Sequence, residues 1–152
     1  GGEGAPTRLT DQVEIEPGLV AKLYVPETAE PADSFQARLR LENRTLRVLD
    51  LRTPSACLTY PSVYYASGPR EGKRAEMKGT MLLCAAVVTH RDIGPGQTKT
   101  ATFDLQASVV EPNGEEPAPP GTYRFETRLD WTVEGKEVEE TLEGAFEVTV
   151  DN

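Results

Sequence analysis

The sequence is poor in the side chains that carry chemistry, with one histidine, two cysteines and one tryptophan in 152 residues. A serine or cysteine nucleophile needs a base within hydrogen-bond reach, and His90 is the only imidazole present. It closes an apolar run beside Arg91 and Asp92, where a polar cap on a strand end is the commoner role. One His and two Cys also fall short of the four ligands of a structural zinc site. No D-x-D-x-D-G loop is present, and Glu111, Glu115 and Glu116 in "EPNGEEP" lack the ligand spacing of a calcium loop. No glycine-rich loop opens a helix, so a phosphate cradle is missing as well. We read the chain as non-enzymatic and without a cofactor.

Long apolar runs are also missing, and none approaches the roughly 20 residues of a membrane span. Basic excess is absent too: 25 acidic side chains against 16 basic ones give a net charge of −9, which repels nucleic-acid phosphates and anionic lipid. The expected partner is therefore a protein, with neither nucleic acid nor membrane insertion in this chain. A chain of this length makes one domain that buries roughly two thirds of its unfolded surface. The stretch "GGEGAPTRLTDQ", residues 1–12, is small and polar and reads as a flexible leader before a domain over 13–152.

What is present is period-2 alternation with almost no helical periodicity. In "LVAKLYV" Leu19, Ala21, Leu23 and Val25 share one face, and in "FQARLRLEN" Phe35, Ala37, Leu39 and Leu41 oppose Gln36, Arg38, Arg40 and Glu42. "TLRVLDL" follows a turn at Asn43-Arg44, and the two read as a hairpin. "CLTYPSVYYAS" is β-prone, but Pro61 cannot donate to a ladder and places it at an edge or bulge. "LLCAAVVTH" is nearly all apolar and reads as a buried strand. After "IGPGQ" come "TATFDLQA", "TYRFETRLDWTV" and "GAFEVTV", the last two joined by a turn at Glu134-Gly135-Lys136. Seven to eight strands without helices predict an all-β, immunoglobulin-like antiparallel β-sandwich, with a closed barrel as the rival. The predicted core holds Leu23, Phe35, Leu39, Leu41, Val87, Phe103, Leu105, Tyr123, Phe125, Leu129, Trp131, Phe146 and Val148.

Cys57 and Cys84 lie in apolar stretches, and we expect a disulfide between them, two buried free thiols being the alternative. The bridge implies an extracytoplasmic protein, whereas free thiols would place it in the cytoplasm. Two long connections interrupt the strand order. Residues 110–121, "VEPNGEEPAPPG", carry four prolines; Pro119-Pro120-Gly121 reads as a corner, with a positive φ at Gly121 as in a type II turn. There Tyr123 can tie its hydroxyl back to the corner. Residues 66–81 are locally net positive on an acidic protein through Arg70, Lys73, Arg74 and Lys78. A solvated loop open to trypsin-like cleavage is the plain reading. The functional one is a recognition loop, with Tyr64 and Tyr65 beside Arg70, Lys73 and Arg74 as binding residues. "NRT" at Asn43 matches a glycosylation acceptor, and a tight turn explains Asn43 equally well.

"RLRLENRTLRVLDL", Pro95-Gly96 with the strand to Leu105, and Pro119-Pro120-Gly121-Thr122-Tyr123 with Phe125 and Leu129 occur in an order that resembles the intracellular proteinase inhibitor (BsuPI-like) domain family. The resemblance implies an immunoglobulin-like sandwich and, for some members, inhibition of bacterial serine proteases. The chain departs from the family in its middle, where "YPSVYYASGPREGKRAEMKGTMLLC" replaces a Tyr-Asp pair and a tryptophan-bearing strand. The sequence thus points to a non-enzymatic binding module, secreted, periplasmic or lipid-anchored. The alternative is a serine-protease inhibitor acting through loop 66–81.

Overall fold

The computed structural model describes residues 6–80 and 84–150. Two sheets form an immunoglobulin-like sandwich. The first holds β1 (Thr7–Glu16), β2 (Leu19–Pro26), β4 (Ser34–Asn43), β9 (Thr98–Glu111) and β10 (Gly114–Pro117) in that order, with β7 (Met77–Lys78) also on β9. The second runs β3 (Thr28–Ala29), β12 (Lys136–Val148), β11 (Gly121–Val133), β5 (Leu49–Thr53) and β8 (Thr89–Ile93), with β6 (Tyr60–Tyr65) also on β11. All pairings are antiparallel except β3 on β12.

Alternation decides which face each strand buries. On β4 the side chains of Phe35, Ala37, Leu39 and Leu41 point inward, and on β11 those of Tyr123, Phe125, Thr127, Leu129, Trp131 and Val133 do. Aromatic rings meet across the interlayer: Phe35 lies 5.0 Å from Phe146, and Phe103 lies 5.7 Å from Phe125. Such tilted pairs add about 1 kcal/mol each beyond their buried area. Thr127 is polar in this apolar row, and its hydroxyl is satisfied by Thr59 Oγ1 at 2.7 Å and the Tyr60 carbonyl at 3.1 Å. β11 and β12 close through Glu134 and Gly135, at φ +48° and +78°, the twist a two-residue hairpin loop requires. Pro61 sits on β6, which pairs with β11 alone among the named strands, as its missing N–H demands.

Three expectations are corrected. β4 and β5 are not a hairpin: β4 pairs with β2 and β9, β5 with β11 and β8, so the chain crosses between sheets over 44–48. Asn43 makes that crossing. It is 1% exposed, its Nδ2 donates to the carbonyls of Arg47, Ile93 and Gly94, and its Oδ1 accepts from the N–H and hydroxyl of Thr45. A side chain so enclosed presents no amide to a glycosyl transferase once the domain is folded.

The second correction is Val87, which with Val88 is exposed (58% and 64%) rather than in the core. The Cys57–Cys84 disulfide is present, and the Ala85 carbonyl accepts from both Ala56 and Val87 N–H groups, so the chain bends there and β8 starts only at Thr89. Leu82 and Leu83 of that run lie outside the described residues. The third is the stretch read as a leader through residue 12, where strand begins at Thr7. β1 leans over the free edge of β12: Asp11 Oδ2 accepts the Glu143 N–H at 3.0 Å, and Arg8 donates to the Ala145 carbonyl at 3.2 Å.

On the outer face of the first sheet, Lys22, Arg40 and Arg44 converge on Glu42 at 3.3, 3.8 and 2.9 Å. The Arg44 hydrogen bond, helped by Lys22 and opposed by partial burial, holds the Glu42 carboxyl below the ordinary carboxylate range. A carboxyl more acidic in the folded than in the unfolded state stabilises fully above its unfolded value and loses that contribution as pH falls through the folded one. Glu42→Gln is therefore expected to lower the urea midpoint at pH 7 and to lie closer to the parent chain at about pH 3. Equal midpoints at both pH values would contradict it.

Candidate functional site

The segment after β6 is folded, not a free loop. Beyond Tyr65 the chain turns through Gly68 and Gly72, with the Glu71 N–H on the Gly68 carbonyl and the Lys73 N–H on the Arg70 carbonyl. It then returns along β6: Gly72 N–H donates to Tyr65 O at 2.8 Å, Tyr65 N–H to Lys73 O at 2.9 Å, and Ala75 N–H to Val63 O at 2.8 Å. Ala75 and Met77 are buried, β7 pairs with β9, and Val110 N–H donates to Glu76 O. The segment thus stitches one sheet to the other, and its tip, Gly68–Arg74, is the continuous exposed run.

The tip packs on the proline corner. Arg70 Nη1 donates to Glu111 Oε1 at 2.7 Å and to the Tyr65 hydroxyl at 3.1 Å, while its guanidinium lies 5.5 Å over the Tyr65 ring. Tyr65 is buried 5.3 Å from Tyr123, whose hydroxyl donates to the Pro119 carbonyl at 2.6 Å. This is the tie-back expected of Tyr123, and it matches the tyrosine corner of immunoglobulin-like sandwiches. Burial, reinforced by Tyr65 and opposed by Arg70, pushes the Tyr123 phenol far above its ordinary value, so the hydroxyl stays a donor at any physiological pH. Gly121 takes φ +148°, positive as expected but not the value near +80° of a type II turn. There the Thr122 N–H donates to Ser67 Oγ at 3.0 Å and the Ala66 N–H to Thr122 O at 2.9 Å.

Between tip and corner lies a cleft of about 230 Å³, walled by Ser67, Pro69 and Arg70 on one side and Pro119, Pro120 and Gly121 on the other. The sequence reads Pro119-Pro120-Gly121 as a corner and gives no sign that it forms this wall. Alternation carries no signal for which loops meet at the end of a sandwich.

The five sequence-predicted binding residues do not share one surface. Tyr65 faces inward and Tyr64 outward, where Arg124 lies 4.8 Å over its ring. Arg70 is compensated by Glu111, and Arg74 Nε lies 3.5 Å from Glu76. The Lys73 ammonium has no partner among the described residues. His90 is exposed on β8, with Nδ1 3.5 Å from Asp50 Oδ1. Among the described residues no group of three or more His, Cys, Asp or Glu side chains is placed to hold a metal ion, and no helix is long and apolar enough to cross a membrane.

No family model matches the chain, and no curated protein matches it. Among solved structures it is similar to a β-glucosidase from Listeria innocua in complex with glucose, at 13% identity and TM-score 0.45, over 91% of this chain and 16% of that one. It is similar to the β-glucosidase EmGH1 from Erythrobacter marinus, at 9% identity and TM-score 0.47, over 94% and 16%. It is also similar to PapD-like domain 7 of human CEP192, at 12% identity and TM-score 0.38, over 91% and 90%. The chain spans about a sixth of the two β-glucosidases. Likenesses at these scores transfer no activity, substrate or partner to this chain.

Proposed function

We propose that the chain is a non-enzymatic binding module acting outside the cytoplasm, and that it engages a protein partner through the tip Gly68–Arg74 and the adjoining cleft. The observation that carries this reading is a charged, exposed tip held rigid on both flanks by backbone hydrogen bonds to β6 and by β7 on β9. A loop fixed before contact loses little conformational entropy on binding. The Cys57–Cys84 bridge supports the location, since such bonds persist in oxidising compartments. The test is a photo-crosslinking residue at position 69, with position 46 at the opposite end as control, in an extracytoplasmic extract of the source cells. A discrete protein adduct from position 69 alone is expected; adducts from both positions or from neither overturn the proposal.

A second reading, inhibition of a serine protease through the same tip, is favoured by Arg70, Lys73 and Arg74 on pinned flanks and by the BsuPI-like resemblance. It requires stoichiometric slowing of a subtilisin- or trypsin-like protease with the tip left intact, and loss of that effect when all three cations become Ala. Rapid nicking after Lys73 or Arg74 with full protease activity retained would rule it out. The Glu71–Gly68 and Lys73–Arg70 hydrogen bonds would have to open for the tip to enter an extended active-site cleft.

A further inference from the structure

A second concavity lies on the outer face of the second sheet, with a volume of about 520 Å³. Its floor follows from register: Tyr60 stands opposite Arg128, Ser62 opposite Glu126, and Arg128 opposite Thr141, so these side chains share one face, with Asp130 next along β11. Its wall is the segment 54–59 that loops out between β5 and β6. That wall is fixed by the Cys57–Cys84 bridge, by Trp131 Nε1 donating to the Leu58 carbonyl at 2.8 Å, by the Thr59 hydroxyl on the Arg128 carbonyl at 2.6 Å, and by Arg91 on the Ala56 carbonyl at 2.6 Å.

We propose that this groove is a saccharide site that takes one or two pyranose units of an uncharged glycan, with Tyr60 as its platform. Tyr60 is 43% exposed, and its hydroxyl donates to Ser55 Oγ at 2.6 Å, which fixes the ring while leaving part of it to solvent. An aromatic ring held this way suits the apolar C–H face of a pyranose, whose hydroxyls project from its rim. The side chains of Ser62, Asp130 and Thr141 have no hydrogen-bond or ionic partner among the described residues. Glu126 Oε2 accepts a long hydrogen bond from Arg124 Nη2 at 3.4 Å and leaves Oε1 open, and Arg128 makes a 3.7 Å ion pair to Glu139. Carboxylates accept from hydroxyls, the guanidinium donates to them, and Ser and Thr do both, so the set matches groups that are donor and acceptor at once. Charge disfavours an anion, which meets Glu126 and Asp130, while a cation meets two carboxylates and one guanidinium and is the competing ligand the titration excludes. The volume falls within the range of small-molecule sites. The groove opens on the outer face of the second sheet and reaches the tip only at Tyr64, which lines it and is bridged to Arg74; the proposal does not depend on the reading given for the tip.

The test is NMR titration of the full chain with maltose, cellobiose and lactose, and separately with glucuronate and spermidine. At least one neutral disaccharide is expected to shift the Tyr60, Ser62 and Thr141 signals at about millimolar Kd, leaving Gln36 on the other sheet unmoved. Tyr60→Ala is expected to weaken that binding about tenfold, and Asp130→Asn, a surface change that leaves the fold intact, about fivefold. No shift by any of the three at about 20 mM, shifts outside the groove, binding of glucuronate or spermidine alone, or wild-type affinity in Asp130→Asn would each overturn the proposal.

Discussion

Asn43→Ala is expected to destabilise the domain by about 3 kcal/mol, since truncation leaves buried acceptors unpaired at a cost of about 1–3 kcal/mol each before relaxation. The residue is enclosed, and three backbone carbonyls depend on its amide: Arg47 in the crossing segment, and Ile93 and Gly94 at the end of β8. The Thr45 N–H and hydroxyl depend on its oxygen. Asn43→Asp keeps the acceptor, but it loses all three donated bonds and sets a carboxylate against carbonyl oxygens, so it should be no better than Ala at pH 7. Urea unfolding of both variants checks this. A loss under about 1 kcal/mol for both would mean that the crossing is held by other contacts.

Removing the disulfide has the next largest expected effect. The Cys57–Cys84 bond links positions 27 apart, and on the chain-entropy model its loss from Cys57→Ala/Cys84→Ala costs about 3 kcal/mol. The double variant and the reduced parent chain should share a denaturation midpoint, well below that of the oxidised chain. The parent chain should give no reactive thiol when unfolded without reductant. Two reactive thiols would remove the bridge, and with it the main support for an extracytoplasmic location.

Strand identity was legible in the sequence wherever one face is buried and the other wet, as on β4 and β11, because a period of two assigns each side chain to a face. The Glu134-Gly135 hairpin and the Tyr123 tie-back were legible from turn chemistry. Alternation says nothing about which strand lies alongside, so the β4–β5 crossing read as a hairpin. Hydrophobicity alone misplaced Val87, because the covalent tie at Cys84 and the bend at Ala85 decide where that run goes. β1 hid in a polar stretch because it is only half-buried and makes its contacts at a sheet edge. The segment 66–81 was legible as a long polar interruption of the strand order but its rigidity was not, since that rests on backbone hydrogen bonds that any side chain permits. The cleft and the groove arise from elements distant in sequence, and neither leaves a local pattern.

The lean of β1 over β12, and the pairing of β3 with the far end of β12 at Glu147 and Val148, bear on the order in which the domain can be made. The β1–β2 hairpin is local and can zip as soon as it is synthesised, but the edge it shields belongs to the last strand of the chain. At about 5–20 residues per second, some seconds separate the two during translation. Through that interval the inward faces of β2 and β4 wait for β11 and β12, and closure demands contacts spanning nearly the whole sequence, the regime of slow folding. The sandwich therefore cannot close until the β11–β12 hairpin has been made, however early its first strands pair.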